Sequence, residues 1–185
     1  MRSPATAMSL AEYRADAVLR DGTPAVIRAI RPEDRTALRD GFEHLSERTI
    51  YHRFLGAKRD LTEAELDYFT ELDFLNHIAL VVDVLTERGP RPIAVGRAVR
   101  TSRPAPQDRA EVAFVVADAY QGRGVGTLLL EHLVVIGRRL GYRVFEAEVL
   151  PGNRQMLDVF AHSGLRRKER IADGLVHVEL ELPDS

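Results

Sequence analysis

Glu111-Val112-Ala113-Phe114-Val115-Val116 and, after a short corner, Gln121-Gly122-Arg123-Gly124-Val125-Gly126-Thr127 form the stretch that decides the fold. The run after Glu111 is apolar and fits a buried strand. Beyond the glycines, Leu128, Leu129, Leu130, Leu133, Val134 and Leu140 have the spacing of an amphipathic helix. The glycines therefore occupy a strand-to-helix corner. There the first N–H groups of the helix lack intrahelical acceptors and carry the positive end of the macrodipole, which suits a pyrophosphate. Glycine lets such a ligand come close to the backbone.

Spacing separates the families that build such corners. A P-loop ends in Gly-Lys-Ser/Thr, whereas Gly126 is followed directly by Thr127. A dinucleotide fingerprint reads Gly-x-Gly-x-x-Gly, whereas Gly122, Gly124 and Gly126 read Gly-x-Gly-x-Gly, with Thr127 at the third required position. What remains is Gln-x-x-Gly-x-Gly (Gln121, Gly124, Gly126) behind a strand that opens with a glutamate. This resembles the GNAT superfamily of acyl-CoA N-acyltransferases, whose signature turn holds the pyrophosphate of coenzyme A.

The remaining sequence is consistent with one α/β domain. At 185 residues the chain suffices for a single buried core. Residues 1–11 are small, polar and aperiodic and are expected to be a flexible arm, with the domain spanning 12–185. Net charge is -2 with the signs interspersed, so the basic stripe that nucleic acid requires is missing. There is no cysteine, which removes disulfides and thiolate chemistry. No apolar run approaches a membrane span, and a cytoplasmic protein without membrane contact is expected. The six histidines have no metal-ligand spacing, and no metal is expected.

Turn and cap signals order the elements. Asp21-Gly22 suits a hairpin turn between strands at 13–19 and 24–30. Pro32, Glu33 and Asp34 suit the first turn of a helix running through Phe42. A second helix is expected over 46–54. A third begins at the capping box Thr62/Glu65 and is expected to end near Asp73. Strands follow at 77–85 and 93–99, then a proline-containing loop at 102–108, the Glu111 strand and the long helix. Next come a strand at 143–150, a helix at 153–161 and a hairpin of 165–171 and 175–182 across Asp173-Gly174. This predicts a mixed, mostly antiparallel twisted sheet with helices on both faces, and it is also the order of GNAT domains.

The resemblance implies acetyl-CoA as co-substrate. It places the pyrophosphate on the backbone of Gly122, Arg123, Gly124, Val125, Gly126 and Thr127 beside Gln121, with Arg123 able to add charge. It further implies that the Glu111 strand splays from the strand at 143–150 to open an acyl-CoA slot, lined by the backbone of Val115 and Val116, where one N–H would stabilise the oxyanion. An alkyl amine is almost wholly protonated at neutral pH and must lose a proton to attack. Glu111, at the mouth of an apolar strand, is the general base that the resemblance implies; the alternatives are a solvated glutamate or one paired with Arg109. Asn153 matches the asparagine that starts the helix after the slot, and also suits a helix cap. Where many relatives carry a thiolate-protonating tyrosine, this chain has Phe160; His162, Ser163, water or unassisted departure are the substitutes.

Asp21-Gly22-Thr23-Pro24, Arg31-Pro32-Glu33-Asp34, Leu45-Ser46, Tyr51-His52-Arg53-Phe54 and His77-Ile78-Ala79-Leu80 resemble more narrowly the catalytic domain of bacterial Pat-type protein lysine acetyltransferases. That resemblance implies a protein lysine as acceptor. Within these 185 residues, the regulatory module often fused to such domains is not expected. Two alternatives stay open: acetyl transfer to a small amine, and a non-catalytic acyl-CoA-binding or sensing domain.

Overall fold

The structure, a computed structural model, describes residues 9–101 and 106–183. Eight strands form one sheet: β1 (Arg14–Val18), β2 (Pro24–Ala29), β3 (His77–Thr86), β4 (Gly89–Arg100), β5 (Arg109–Val116), β6 (Val144–Val149), β7 (Arg166–Ala172) and β8 (Leu175–Glu181). Their order is β1-β2-β3-β4-β5-β6-β8-β7. Every neighbouring pair is antiparallel except β5 and β6. Among the described residues five α-helices accompany it: α1 (Arg35–Glu43), α2 (Glu47–Phe54), α3 (Glu63–Thr70), α4 (Val125–Arg139) and α5 (Arg154–Ala161).

Strand alternation divides the core between the two faces. Ala110, Val112, Phe114 and Val116 of β5 join the large cluster built with Leu129, Leu133 and Ile136 of α4 and Phe160 of α5. Val115 points the other way, to Val81, Val95 and Ile30 beneath Leu38 of α1. Helices thus cover both faces, as the mixed-sheet reading requires. On the α1 side, Arg28 ties the helical layer down: its Nε donates to Asp83 at 2.6 Å and its Nη1 to Asp34 at 2.7 Å.

Several boundaries move from their sequence expectation, three of them for a reason visible in the structure. β4 begins at Gly89 rather than Ile93, taking in Pro90 and Pro92. It tolerates them because β5 first pairs at Ala94↔Val116, so this end of β4 behaves as an edge needing no proline N–H. α3 stops at Thr70, where Glu71 caps it; Asp73 instead accepts hydrogen bonds from the N–H groups of Leu75, Asn76 and His77 and shapes the entrance to β3. Leu10–Glu12 form a short 3-10 turn with Leu10 packed on the core, so the arm's last residues are ordered. The rest of the arm (residues 1–8), and residues 102–105 of the expected loop, lie outside the described residues.

Candidate active site

The parallel contact between β5 and β6 covers only Arg109↔Val144, Ala110↔Phe145 and Glu111↔Glu146. Beyond Glu111, β5 continues along β4 to Val116 and β6 continues along β8 to Val149, so the two strands part. The opening leads to a cleft of about 530 Å³, within the range of small-molecule sites. Phe114, Val115, Val116, Gln121, Gly122, Gly124, Val125, Gly126, Thr127 and Asn153 all line it.

Register decides which backbone groups face the slot. Ala117 N donates to Ile93 O at 2.8 Å and Thr101 N to Arg109 O at 3.1 Å. Odd positions of β5 are therefore spent on β4, and the even ones point to the parting side. This corrects the expected pair: the N–H of Val115 is committed to β4, and Phe114 and Val116 are the residues whose N–H groups face the slot. The carbonyl of Val116 is taken by Gln121 Nε2 at 3.1 Å.

At the corner, Gly124 caps α4 in the left-handed region (φ 81, ψ 6). The first helical bond runs from Leu128 N to Gly124 O at 3.0 Å, so the N–H groups of Val125, Gly126 and Thr127 precede the helical ladder. A Cβ on Gly126 would stand 3.3 Å from Val159 Cγ2, and one on Gly124 2.8 Å from Arg20 Nε. The cradle is thus narrow, is capped by an arginine, and fits a pyrophosphate. The side chain of Arg123 is directed elsewhere. It pairs with Asp21 at 2.7 Å and stacks on Tyr120, whereas Arg20 is the arginine whose side chain lies against Gly124.

The opposite wall is α2, which presents Arg48, Thr49, His52 and Arg53 to the cleft. Sequence reading missed these residues and Arg20. Their spacing of i, i+1, i+4 and i+5 on one helical face was the available signal. Asp118 holds the wall in place: its carboxylate accepts from Ser46 N at 2.9 Å, Ser46 Oγ at 2.6 Å and Thr49 Oγ1 at 2.8 Å, while Gln121 Nε2 donates to Thr49 Oγ1 at 3.0 Å. These bonds hold the carboxyl below its ordinary pKa against the opposing effect of burial. Asp118→Ala is expected to cost about 1 kcal/mol of stability, discounted for exposure. It should also raise KM for acetyl-CoA more than it lowers kcat, because the cationic wall loses its anchor; steady-state kinetics beside a thermal melt would separate the two effects.

Glu111 stands where the strands part, on the α1–α3 face, outside the residues lining the cleft itself. Its expected competitor as a partner is occupied: Arg109 Nη1 pairs with Glu146 at 2.5 Å and with Glu179 at 3.2 Å, leaving Glu111 without an ion pair among the described residues. The side chain is solvent-accessible, yet protein crowds its carboxyl. Burial raises its pKa first and the charge of Glu148 adds to this, while Arg53 opposes them. Asn153 caps α5 by accepting from Met156 N at 3.3 Å. Phe160 is 1 % exposed and packs edge-on to Phe114, far from any proton-transfer role. Ser163 Oγ is spent on Phe160 O at 2.8 Å, whereas His162 lines the cleft. Among the described residues no group of three or more His, Asp or Glu could hold a metal ion.

The profile of the acetyltransferase (GNAT) family matches residues 42–165. This chain belongs to that family. Acetyltransferase PA5475 of Pseudomonas aeruginosa is 32% identical over 141 residues, 76% of this chain and 74% of that protein. Acetyltransferase Pat of Mycolicibacterium smegmatis is 35% identical over 167 residues, which are 89% of this chain and 48% of that protein, so the chain spans about half the length of this relative. The crystal structure of the GNAT domain of S. lividans PAT superposes with a TM-score of 0.83 at 38% identity, covering 98% of this chain and 100% of that one. The structure of yncA of Salmonella typhimurium with its cofactor acetyl-CoA shares the fold at 18% identity and a TM-score of 0.68. The chain is accordingly an acyl-CoA-dependent acetyltransferase with acetyl-CoA as co-substrate. No described helix is long and apolar enough to cross a membrane.

Proposed function

We propose that this GNAT enzyme acetylates the side-chain amine of a protein lysine by direct attack, with Glu111 as general base. The supporting observation is the setting of Glu111: an unpaired carboxylate at the parting of β5 and β6, bordered in register by Glu146 and followed by Glu148 on the same face. A lysine ammonium entering there meets negative charge first, then a base of raised pKa able to take its proton. The neutral nitrogen attacks the thioester carbon beside the N–H groups of Phe114 and Val116, which would stabilise the developing oxyanion. The thiolate then departs to solvent, because Phe160 has no proton to give.

The approach is open. The helices α1–α3 pack over β2–β5, whereas the β6–β8–β7 part of that face carries exposed or half-exposed Glu148, Glu179, His177 and Lys168. A broad polar surface suits a folded or extended protein segment better than a small amine, which would gain from enclosure. The resemblance to Pat-type lysine acetyltransferases supports the same acceptor. The test is thiol release from acetyl-CoA with lysine-containing peptides and proteins against a panel of polyamines, amino acids and aminoglycosides. Higher kcat/KM on the protein substrates is expected, and a small amine preferred over all of them would transfer the assignment to that amine.

A further inference from the structure

Beneath α1–α3 lies a second cavity, of about 100 Å³, walled mainly by apolar side chains such as Leu38, Phe42 and Phe54. Two guanidinium groups also line it, those of Arg97 and Arg53. Arg97 is 6 % exposed and sits on β4 opposite Ala113, between the levels of Val115 and Glu111. Its Nη1 donates to His77 Nε2 at 3.0 Å, and its guanidinium lies over the ring of Phe69 at 4.3 Å. Neither contact neutralises it. Burial, and then the charge of Arg97, hold the His77 pKa down to about 4, so the ring is a neutral acceptor at pH 7.

Arg53 leans on the ring of Phe54 at 5.0 Å and feels the charge of Glu111 without forming an ion pair with it. Among the described residues no carboxylate stands within ion-pair distance of either arginine. Burial, with the neighbouring Arg53 charge added, pulls the Arg97 pKa to about 9, which still leaves it cationic at neutral pH. Arg97 is thus a buried cation with no carboxylate at ion-pair distance, beside a half-buried Arg53 that has only the more distant charge of Glu111; interior charges are normally paired, and an anion entering the cavity would complete the arrangement. Arg53 and Val115 line both this cavity and the cofactor cleft, so an anion could reach the pair from the slot.

We infer that the cavity receives a short acyl chain ending in a carboxylate, of the malonyl or succinyl type, carried on coenzyme A. The inference rests on the acyl-transfer reading of the slot and is independent of the acceptor's identity. An acetyl group leaves such a volume mostly unfilled, whereas a single water needs only about 10–15 Å³, so a chain longer by a methylene and a carboxylate fits. An acceptor's own carboxylate is a poorer match, because the amine must arrive from the open β6–β8 side while Arg97 is buried beneath the helices. The chemistry is unchanged: the amine nitrogen bonds to the thioester carbon, the C–S bond breaks, and the amine's proton is released. The products are coenzyme A and an amide bearing a free carboxylate.

The experiment compares acetyl-, butyryl-, malonyl- and succinyl-CoA on one lysine peptide with the wild type, Arg97→Met and Arg97→Lys, alongside calorimetric binding of each thioester. The wild type is expected to favour malonyl- or succinyl-CoA over butyryl-CoA by about tenfold in kcat/KM, the scale of a single charge-assisted contact. Arg97→Met should reverse that ratio and Arg97→Lys should keep part of it. The ratio within each protein is the readout, so a general loss of activity does not mimic the result. Should Arg97→Met fail to fold, the wild-type preference and the lysine variant still decide. Equal or better use of butyryl-CoA by the wild type, or a ratio unmoved in Arg97→Met, overturns the inference. Failure to bind any thioester overturns it together with the slot reading, whereas binding of acetyl- but neither malonyl- nor succinyl-CoA overturns it alone.

Discussion

Glu111→Gln is expected to lower kcat by about 10²- to 10⁴-fold, the usual contribution of a positioned general base, while acetyl-CoA still binds. The isostere keeps the shape of the strand mouth and removes only the ability to accept the proton. The pH profile follows from the direction of the shift. The ionised carboxylate is the active form and its pKa is raised, first by burial and next by Glu148, so the acid limb of kcat/KM should fall above the ordinary glutamate value of 4.5. The same shift has a sign for stability. A carboxyl whose folded-state pKa lies above its unfolded value contributes stability below the unfolded value and loses it as pH rises through the folded one. At neutral pH the wild type therefore carries a charge that the fold disfavours, and the variant should melt at an equal or higher temperature. Turnover and melting moving in opposite directions would mark a functional group rather than a structural one. Undiminished turnover in the variant would pass the role to another carboxylate on this face, with Glu148→Gln the next to measure.

The parts of this site that the sequence disclosed are those fixed by local chemistry. Gly124 is at the left-handed cap of α4 because a helix must start there after a buried strand, and Thr62/Glu65 and Asn153 cap the helices that their types announce. What escaped depends on partners distant in the chain. Whether Val115 or Phe114 turns its N–H to the slot is set by the register against β4, a matter of pairing 97 with 113 and not 96, to which the composition of β5 is blind. Arg123, the cation within the turn itself, was the one the sequence offered, and Arg20 gave no sign. Asp21, across the hairpin, decides between them by capturing Arg123 and leaving Arg20 over the glycines. The Arg97–Arg53 pair was equally silent, since a strand arginine and a helix arginine become neighbours only when α2 folds over β4 and β5. GNAT membership was legible because the signature turn is local, and the electrostatics of the acyl end were not because they are tertiary.

The same contrast between local strain and tertiary contact gives a second large effect, at the phosphate cradle. Gly122 and Gly124 both have positive φ, 75 and 81, so alanine at either costs on the order of 1 kcal/mol in backbone strain. They differ in what a Cβ would meet. At Gly122 nothing lies within 4 Å, whereas at Gly124 the Nε, Cδ and Cγ of Arg20 lie at 2.8, 3.1 and 3.1 Å. Three atoms of the stem are involved, so the whole Arg20 side chain must leave the turn, taking its charge from the seat expected for the pyrophosphate. Gly124→Ala should therefore raise the Kd for acetyl-CoA by tenfold or more, at roughly the 1.5–3 kcal/mol of a lost charged hydrogen bond. Gly122→Ala should melt about as low and bind nearly as well as wild type. Arg20→Ala, which adds no Cβ at the turn, should reproduce the binding loss of Gly124→Ala without its loss of stability. If the two alanine variants weaken binding equally and Arg20→Ala does not, strain in the turn is the whole effect, and the cationic partner of the pyrophosphate must be sought on α2, at Arg48 or Arg53.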